Sequence, residues 1–256
     1  MPMENDDIGK GTPLLLIHGF PHDRSLWRPQ VEGLKDVARV IAPDLRGFGA
    51  SGDAPGTMTM DGYAADLKAL LDTLGIKQAV VCGLSMGGYI ALAFLAKYPD
   101  AVKALILCNT RSGADNEKAR EGRHATAKKA GEEGMAGIAE GMLPKMVTEA
   151  TLAARPHLRS SVKTMMARQS VAGVVAALHG IAVRPDRTPM LAAVNVPTLI
   201  ITGSADTLIP PSESEAMAAA IPNSKLVVIP DVAHLSNAEA PEAFNAAVRE
   251  FLEGLT

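Results

Sequence analysis

A serine between glycines is the residue of this sequence best suited to chemistry. Ser85 lies in the run Gly83-Leu84-Ser85-Met86-Gly87, between an apolar stretch at 79–82 and an apolar helical stretch at 89–97. This order predicts a strand, a sharp turn and a helix, with the hydroxyl held at the positive end of the helix. A Cβ at either glycine would clash with neighbouring strands in so tight a turn. The pattern indicates a nucleophilic serine; the alternative is a serine that only caps the helix.

A serine hydroxyl is a weak nucleophile until a base accepts its proton, and a carboxylate must hold that base in the right orientation. In parallel sheets, such groups lie beyond the carboxyl ends of the strands. Asp206 follows an apolar run at 197–202, and His234 follows another at 225–230. The chain order Ser85, Asp206, His234 is the order expected when the nucleophile lies on a strand-to-helix turn. We therefore predict that these three residues are catalytic.

Each of these assignments has an alternative. Asp206 could cap the helix that begins near residue 210, and His234 could be an ordinary loop histidine. Asp231 competes for the role of the acid, but it lies only three residues before His234. The position after the predicted strand at 104–109 carries Asn109, whose amide cannot supply a negative charge. Asp206 is therefore the favoured acid.

Attack of a serine on a carbonyl carbon creates a negatively charged oxygen, which backbone amides can stabilise. One donor should be the amide of Met86, at the start of the predicted helix. The second should come from the loop His18-Gly19-Phe20-Pro21, where Phe20 is the natural donor because proline has no N–H. His18 is expected to brace this loop through hydrogen bonds, and His22 is expected to be more exposed.

The elements that must position these residues can be predicted from the apolar pattern. Short runs rich in Val, Ile and Leu alternate with amphipathic stretches, which is typical of a parallel sheet covered by helices on both faces. The predicted strands share buried, non-alternating sequences and span 13–18, 38–42, 78–83, 104–109, 197–202 and 225–230. The clearest helices are predicted at 60–74 and 240–252, where apolar residues recur every three or four positions.

Residues 112–190 break this alternation, with many helix formers and no convincing strand. We expect residues 1–111 and 191–256 to form the core, and 112–190 to be a helical cap inserted over the carboxyl end of the sheet. The cap contains a group of methionines, which either pack its own core or form a deformable apolar lid: Met135, Met142, Met146, Met165 and Met166. Met135 and Met142 are candidate substrate-binding residues. Arg111 either binds a substrate carboxylate or is a solvated loop arginine.

Composition excludes several classes of partner. A formal net charge of -3 over 256 residues gives no electrostatic case for binding nucleic acid or an anionic membrane. The segment 1–10 is polar and acidic, so we do not expect it to be a signal peptide, and no apolar run is long enough to predict a membrane span. Cys82 and Cys108 lie in predicted buried strands, which favours a cytoplasmic protein without disulfides. The histidines of the cap lack ligand-like spacing, so no metal site is expected.

Together, His18 to Pro21, the run Asp44-Leu45-Arg46-Gly47-Phe48-Gly49-Ala50-Ser51, the turn at Ser85, Asp206 and His234 resemble the α/β-hydrolase superfamily. The resemblance covers nearly the whole chain. Within that superfamily, the tail from His234 to Phe244 resembles bacterial serine carboxylesterases and 3-oxoadipate enol-lactonase-like hydrolases.

The resemblance implies a Ser85–His234–Asp206 triad, an acyl-enzyme intermediate, a small-molecule ester or lactone as substrate, and no cofactor. A carboxylesterase is the favoured interpretation. The alternatives are a lactonase acting on 3-oxoadipate enol-lactone or acyl-homoserine lactones, a cofactor-free haloperoxidase or perhydrolase, and a non-catalytic ligand receptor. The only tryptophan, Trp27, is a further candidate for contact with the substrate.

The superfamily usually begins with a meander of two strands before the His-Gly loop. Only a dozen polar or glycine-rich residues precede Pro13 here, so we expect that meander to be missing and the sheet to have about six strands. The strand at 38–42 would then lie at the edge of the sheet. An unpaired edge promotes association, so we expect it to be covered by the N-terminal segment or by a second subunit, in a homo-oligomer.

Overall fold

The computed structural model describes residues 3–52, 54 and 56–255. Its centre is a seven-stranded sheet in the order β1-β3-β2-β4-β5-β6-β7. The strands are β1 (Asn5–Gly9), β2 (Thr12–Ile17), β3 (Ala38–Pro43), β4 (Ala79–Leu84), β5 (Val102–Cys108), β6 (Thr198–Gly203) and β7 (Ser224–Ile229). All neighbouring pairs are parallel except β1 and β3, which are antiparallel. The six strands predicted from the sequence are confirmed, and their ends lie within two residues of the predicted ones.

The sheet has seven strands and not the six predicted from the sequence, because an additional strand, β1, precedes β2. Residues 5–9 pair with β3 in the register Asp7 with Ile41, so β3 is not an edge strand. This strand is polar and largely exposed, because its faces are not covered as those of the inner strands are. A search for apolar runs therefore misses it. The N-terminal segment itself covers β3, which is one of the two arrangements expected from the sequence.

Eleven α-helices lie within the described residues. They are α1 (Arg28–Leu34), α2 (Met60–Thr73), α3 (Met86–Lys97), α4 (Glu117–Glu133), α5 (Met135–Met146), α6 (Glu149–Ala154), α7 (Pro156–Ala167), α8 (Val171–Ala182), α9 (Pro211–Ala220), α10 (Ser236–Glu239) and α11 (Pro241–Glu253). The predicted helices at 60–74 and 240–252 correspond to α2 and α11.

The core lies on both faces of the sheet, as a strand buried on both sides requires. Successive residues of β2 point to opposite faces, and Leu15 and Leu16 accordingly belong to different apolar clusters. The first cluster includes the apolar faces of α2 and α3, and the second includes those of α1 and α11. Helices on both faces hold the carboxyl ends of the parallel strands at one edge.

Helices α4 to α8 form one inserted segment, residues 112–190, between β5 and β6. The two strands still pair directly, in the register Leu105 with Thr198. The ends of the segment also meet, since the amide of Arg187 donates to the carbonyl of Ser112 at 3.0 Å. The hydroxyls of Ser112 and Thr188 lie 2.9 Å apart. The chain therefore leaves the core and returns to it at nearly the same place.

Hydrogen bonds to two buried carboxylates join the inserted segment to the core. Asp23, just after the first loop, accepts hydrogen bonds from Arg168 at 2.7 and 2.8 Å and from Gln169 at 2.7 Å. Glu239 accepts from the amide of Thr148 at 3.1 Å and from its hydroxyl. We call these two groups of bonds the Asp23 contact and the Glu239 contact.

In the described part of the chain, none of the helices has both the length and the apolar character that a membrane span requires.

Candidate active site

Ser85 occupies the turn between β4 and α3, with φ 56° and ψ -115°. This region of positive φ is unfavourable for a residue with a Cβ, so surrounding contacts must hold it. The serine amide donates to the carbonyl of Cys108 at 2.9 Å, and the hydroxyl of Thr110 donates to the serine carbonyl at 2.7 Å. A Cβ at Gly83 would overlap the carbonyl of Gly87. The glycines are therefore required by close backbone approach.

The hydroxyl of Ser85 does not cap the helix. Ser85 stands at the N-cap position of α3, yet its side chain makes no capping hydrogen bond. The side chain is 9% exposed and lines a cavity. This leaves the hydroxyl available at the positive end of α3, which is the geometry expected for a nucleophile and not for a helix cap.

Asp206 and His234 lie in contact beyond the ends of β6 and β7. The Nδ1 atom of His234 is 2.9 Å from Oδ2 of Asp206, and both side chains are almost completely buried. Burial alone would raise the pKa of Asp206, but the hydrogen bond and charge of His234, with further donors, hold that pKa below its ordinary value. An ionised carboxylate only accepts hydrogen bonds, so Nδ1 of His234 carries the proton. The other nitrogen, Nε2, is then left to accept one.

The carboxylate of Asp206 is fixed by four donors in all. Its Oδ1 atom accepts from the amides of Leu208 and Ile209 at 2.9 and 3.0 Å. Its Oδ2 atom accepts from His234 and from the amide group of Asn109, at 2.9 Å each. Asn109 thus follows β5, where the sequence offered no acid, and it donates to the carboxylate that follows β6.

The second ring nitrogen of His234, Nε2, is buried and has no hydrogen-bond partner among the described residues. Asp231, the competing acid, lies on an exposed turn, and its amide donates to the hydroxyl of Ser204. Asp206 and not Asp231 contacts the imidazole.

The loop after β2 places Phe20 beside Ser85. Phe20 and Met86 line the same cavity as the serine, and the hydrogen bonds of the described residues do not use either backbone amide. His18 braces this loop as expected: its Nδ1 lies 2.9 Å from the carbonyl of Gly19, and its Nε2 accepts from the amide of Leu45 at 3.0 Å.

His22 is not exposed, contrary to the expectation from sequence. Its side chain is completely buried, and neither ring nitrogen has a hydrogen-bond partner among the described residues. Burial, assisted by the neighbouring His18 and His234, lowers the pKa of His22 to about 3. Its place in a sequence of loop residues gave no indication of this burial, because groups near it in the folded protein, such as His234, are remote in the sequence.

The cavity at Ser85 is small, about 70 Å³. The core and the inserted segment both contribute to its lining, which consists of Phe20, Ser85, Met86, Tyr89, Arg111, Arg123, Met142, Ile181, Leu208 and Ile209. Larger clefts on the described surface, such as one of about 290 Å³ beside Arg155, contain none of the candidate catalytic residues. We therefore assign the candidate site by its chemistry and not by the size of the cleft.

Two of the candidate substrate-binding residues are placed elsewhere. Trp27 is fully buried and packs against Phe244, with ring centroids 6.0 Å apart, on the face of the sheet covered by α1 and α11. Met135 is buried in the opposite apolar cluster. Neither residue lines the cavity, whereas Arg111 and Met142 do. Large apolar side chains are commonly buried in a core, and the sequence alone could not distinguish that role from contact with a substrate.

A cluster of charges adjoins the cavity. The carboxylate of Asp115, which is fully buried, accepts from Arg111 at 2.6 Å and from Arg123 at 3.1 Å, and lies 2.8 Å from a guanidinium nitrogen of Arg184. Burial alone would raise the pKa of Asp115, but Arg123 and Arg184 hold it below its ordinary value. We name Arg111, Asp115, Arg123 and Arg184 the arginine cluster. Arg123 could not be predicted from the sequence, because it lies twelve residues from Arg111 and the two meet only through the carboxylate of Asp115.

The described residues contain no group of three or more histidine, cysteine, aspartate or glutamate side chains that could hold a metal ion. Cys82 and Cys108 are free and buried, with their sulfur atoms 3.8 Å apart.

Comparison with known proteins agrees with this architecture. Residues 12–132 and 145–241 match the family described as alpha/beta hydrolase fold. The chain is 30% identical over 240 residues to 3-oxoadipate enol-lactonase 2 of Acinetobacter baylyi, covering 94% of this chain and 88% of the relative. The chain belongs to the α/β-hydrolase family and is an enzyme of the hydrolase class.

Two solved structures are also similar along nearly their whole length. A thermophilic esterase from Thermogutta terrifontis, solved with malate bound, has 45% sequence identity and a TM-score of 0.97, over 99% of this chain and 93% of that one. The enol-lactonase from Burkholderia xenovorans LB400 has 30% identity and a TM-score of 0.92, over 98% of this chain and 96% of that one. A carboxylic-ester hydrolase is consistent with both relatives.

Proposed function

We propose that this protein is a serine carboxylesterase, in which Ser85 attacks the substrate, His234 moves the proton and Asp206 orients the histidine. The observation that carries the proposal is the buried pair of His234 and Asp206, joined at 2.9 Å, with the other imidazole nitrogen unpartnered. In a triad, that nitrogen accepts the serine proton. The strained turn at Ser85 supports the same role, because it serves no capping function.

The reaction proceeds in two steps. Nε2 of His234 accepts the proton of Ser85 while the serine oxygen forms a bond to the carbonyl carbon. The tetrahedral intermediate then expels the alcohol, which receives the proton from Nε2, and leaves an acyl group on Ser85. In the second step His234 accepts a proton from water, the water oxygen attacks the acyl carbon, and the acid is released as the serine recovers its proton.

The negative charge of the tetrahedral intermediate falls on the former carbonyl oxygen. We propose that the backbone amides of Phe20 and Met86 donate to it. Both residues line the cavity with Ser85, and neither amide is engaged in another hydrogen bond among the described residues. Met86 is also the first residue of α3, so the helix dipole adds to the effect.

We propose that the inserted segment, residues 112–190, is a cap that selects the substrate over a core formed by residues 1–111 and 191–256. Met142 and Ile181 from this segment close the cavity over Ser85. The cavity of about 70 Å³ is small, which favours substrates with short acyl groups. The identity of 45% to an esterase favours ester substrates.

A lactonase is the second candidate. A lactone is a cyclic ester, and the same serine chemistry opens it. Two relatives at 30% identity are enol-lactonases. Arg111, which lines the cavity beside the serine, also suits the carboxylate that an enol-lactone of this kind carries. Turnover of a lactone panel, including acyl-homoserine lactones, beside simple esters decides between the two.

The central test replaces Ser85 with alanine. We expect Ser85→Ala to lower kcat on 4-nitrophenyl acetate and butyrate by a factor on the order of 10³ or more, because the nucleophile is lost. The measurement is steady-state release of 4-nitrophenol, together with the mass of the protein after reaction with a fluorophosphonate probe.

Ser160→Ala, which alters an exposed serine on α7, is the matched control and should keep full activity and labelling. Turnover retained by Ser85→Ala would reject the assignment. A wild-type protein that the probe does not label would favour a non-catalytic receptor.

A further inference from the structure

The arginine cluster carries more positive charge than its single carboxylate can balance. Three guanidinium groups surround Asp115, which leaves two positive charges uncompensated within the cluster. Glu213 is the other acidic group that acts on Arg111 through its charge, and it does not line the cavity. Among the described residues, the lining of the cavity contains two arginines and no acidic side chain.

The three arginines differ in their burial and in their contacts. Arg184 is buried and structural: it contacts Asp115, donates to the carbonyl of Gly113 at 2.9 Å, and lies 4.1 Å from the ring centre of Tyr89. These contacts place Arg184 in the packing of the inserted segment on the core. Its Nε atom is also buried without a hydrogen-bond partner among the described residues, but Arg184 does not line the cavity.

The hydrogen-bond donors of Arg111 and Arg123 are only partly engaged by other groups of the protein. Each bonds to Asp115 through a single nitrogen, and their side chains stay 25% and 29% exposed. The Nε atom of Arg111 is buried without a hydrogen-bond partner, and the terminal nitrogens of Arg123 make no hydrogen bond with the described residues. A buried guanidinium donor without a partner is costly, so the Nε atom of Arg111 in the wall of the cavity indicates a ligand that accepts a hydrogen bond from it. The terminal nitrogens of Arg123 offer further donors in the same wall.

We infer that Arg111 and Arg123 form an anion subsite, and that the preferred substrates are esters or lactones that carry a free carboxylate. This inference rests on the proposed function, since it names the substrate class of the same cavity. Asp115 holds the two arginines at the cavity wall, and Arg184 holds Asp115. A carboxylate is the group that matches the paired donors of a guanidinium, and it is small enough for this cavity.

The test compares charged and neutral esters of similar size. Monoethyl succinate and monoethyl glutarate are set against ethyl butanoate and ethyl pentanoate, with acid release followed at constant pH. We expect the wild-type kcat/KM to favour the half-esters by about tenfold to hundredfold, the range of a hydrogen bond to a charged group. The preference should lie mainly in KM, because the subsite binds a part of the substrate that does not react.

Variants assign the preference to the two residues. Arg111→Gln and Arg123→Gln should each lower the ratio of kcat/KM for half-ester over neutral ester by about tenfold. Arg123→Lys should recover part of it. Arg120→Gln, an exposed arginine one turn away on α4, is the matched control and should leave both the ratio and the activity unchanged.

A binding measurement separates this inference from the proposed function. Titration of the Ser85→Ala protein with glutarate half-ester and with ethyl pentanoate requires no turnover. Tighter binding of the half-ester, lost in Arg111→Gln, supports the subsite even if neither ester is cleaved. Equal binding and equal kcat/KM for the two classes in the wild type would overturn the inference while leaving esterase activity in place.

Discussion

At the scale of single residues, the site depends on hydrogen-bond partners that lie far away in the sequence. Asn109 follows β5, donates to Asp206 after β6, and accepts from the hydroxyl of Ser236 at 2.5 Å. These contacts leave the acid no freedom to rotate away from His234. Hydrogen bonds from several elements fix the carboxylate in one geometry, which suits the orienting role proposed for Asp206.

Sequence could predict the residues whose neighbours are local and not those whose neighbours come from other elements. The turn at Ser85 was predictable because sterics demand glycine at fixed distances from it along the chain. The burial of His22 was not, because the histidine is covered by groups remote in sequence. Asp206 could be placed only by its strand, since its bonds to Asn109 and His234 join separate loops.

The burial of His22 should make the protein sensitive to acid. The pKa of His22 is about 3 in the folded protein, against an ordinary value of 6.5. Between these two pH values, the unfolded chain binds a proton at this residue and the folded protein does not. The free energy of unfolding should therefore fall as the pH drops from 6.5 towards 3. Between pH 7 and pH 4 this group alone contributes a loss of about 3 kcal/mol. Urea unfolding at a series of pH values measures it.

His22→Leu should flatten that pH dependence. The same change at His157, an exposed histidine of α7, is the control and should leave the dependence as it is in the wild type. Identical slopes for the wild type and His22→Leu between pH 4 and pH 7 would contradict the role assigned to His22.

At the scale of elements, the inserted segment is hydrogen-bonded to the loops that carry the proposed catalytic residues. The Asp23 contact joins the end of α7 to the loop that supplies Phe20. The Glu239 contact joins the start of α6 to the loop of His234, because the second carboxylate oxygen of Glu239 accepts from the amide of Ala233 at 2.8 Å. The amide of Leu235 also donates to the carbonyl of Met146 at 2.8 Å. The helices therefore do more than cover the cavity.

Glu239→Gln tests this connection. The glutamine keeps the shape of the side chain, but its NH₂ group replaces one of the two carboxylate oxygens. It then faces a hydrogen-bond donor, either Thr148 or the amide of Ala233, and that hydrogen bond is lost. We expect the free energy of unfolding to fall by about 1.5 to 3 kcal/mol, as for a lost hydrogen bond to a charged group, and kcat to fall because Ala233 directly precedes His234. Urea unfolding and ester kinetics measure the two effects.

Glu215→Gln changes an exposed residue of α9 and should alter neither quantity. A Glu239→Gln protein with reduced stability and unchanged kcat would show that the contact holds the segment without positioning the histidine.

At the scale of the whole molecule, the six parallel strands, β2 to β7, could be predicted from apolar runs. A strand buried on both faces must be apolar throughout. The edge strand β1 could not be predicted in this way. Its sequence Asn5-Asp6-Asp7 is polar because it lies at the edge, where Asp7 forms paired hydrogen bonds with Arg39 at 2.7 and 2.8 Å. Charged residues on an edge strand discourage pairing with other molecules.

Gly9→Ala tests the importance of this edge. Gly9 has φ 93°, and a Cβ there would overlap the carbonyl of Ala38. The substitution should weaken the pairing of β1 with β3, lower the free energy of unfolding by about 1 to 3 kcal/mol, and expose an edge that promotes association. Urea unfolding and light scattering across a range of protein concentrations measure both effects.

The same substitution at Gly122, in the exposed middle of α4 with open space around it, should instead stabilise the protein by about 0.5 to 1 kcal/mol. A Gly9→Ala protein as stable as the wild type, with no association, would show that β1 is dispensable.

The meeting of Ser112 with Arg187 and Thr188 has a consequence for how such enzymes diversify. A segment whose two ends lie together can be exchanged for another without disturbing the pairing of β5 with β6. On the proposed mechanism, Ser85, His234 and Asp206 then stay in place while the inserted helices that line the cavity are exchanged. Grafting the corresponding segment of a lactonase onto this core, together with matching partners for Asp23 and Glu239, is the natural route to redirecting its substrate range.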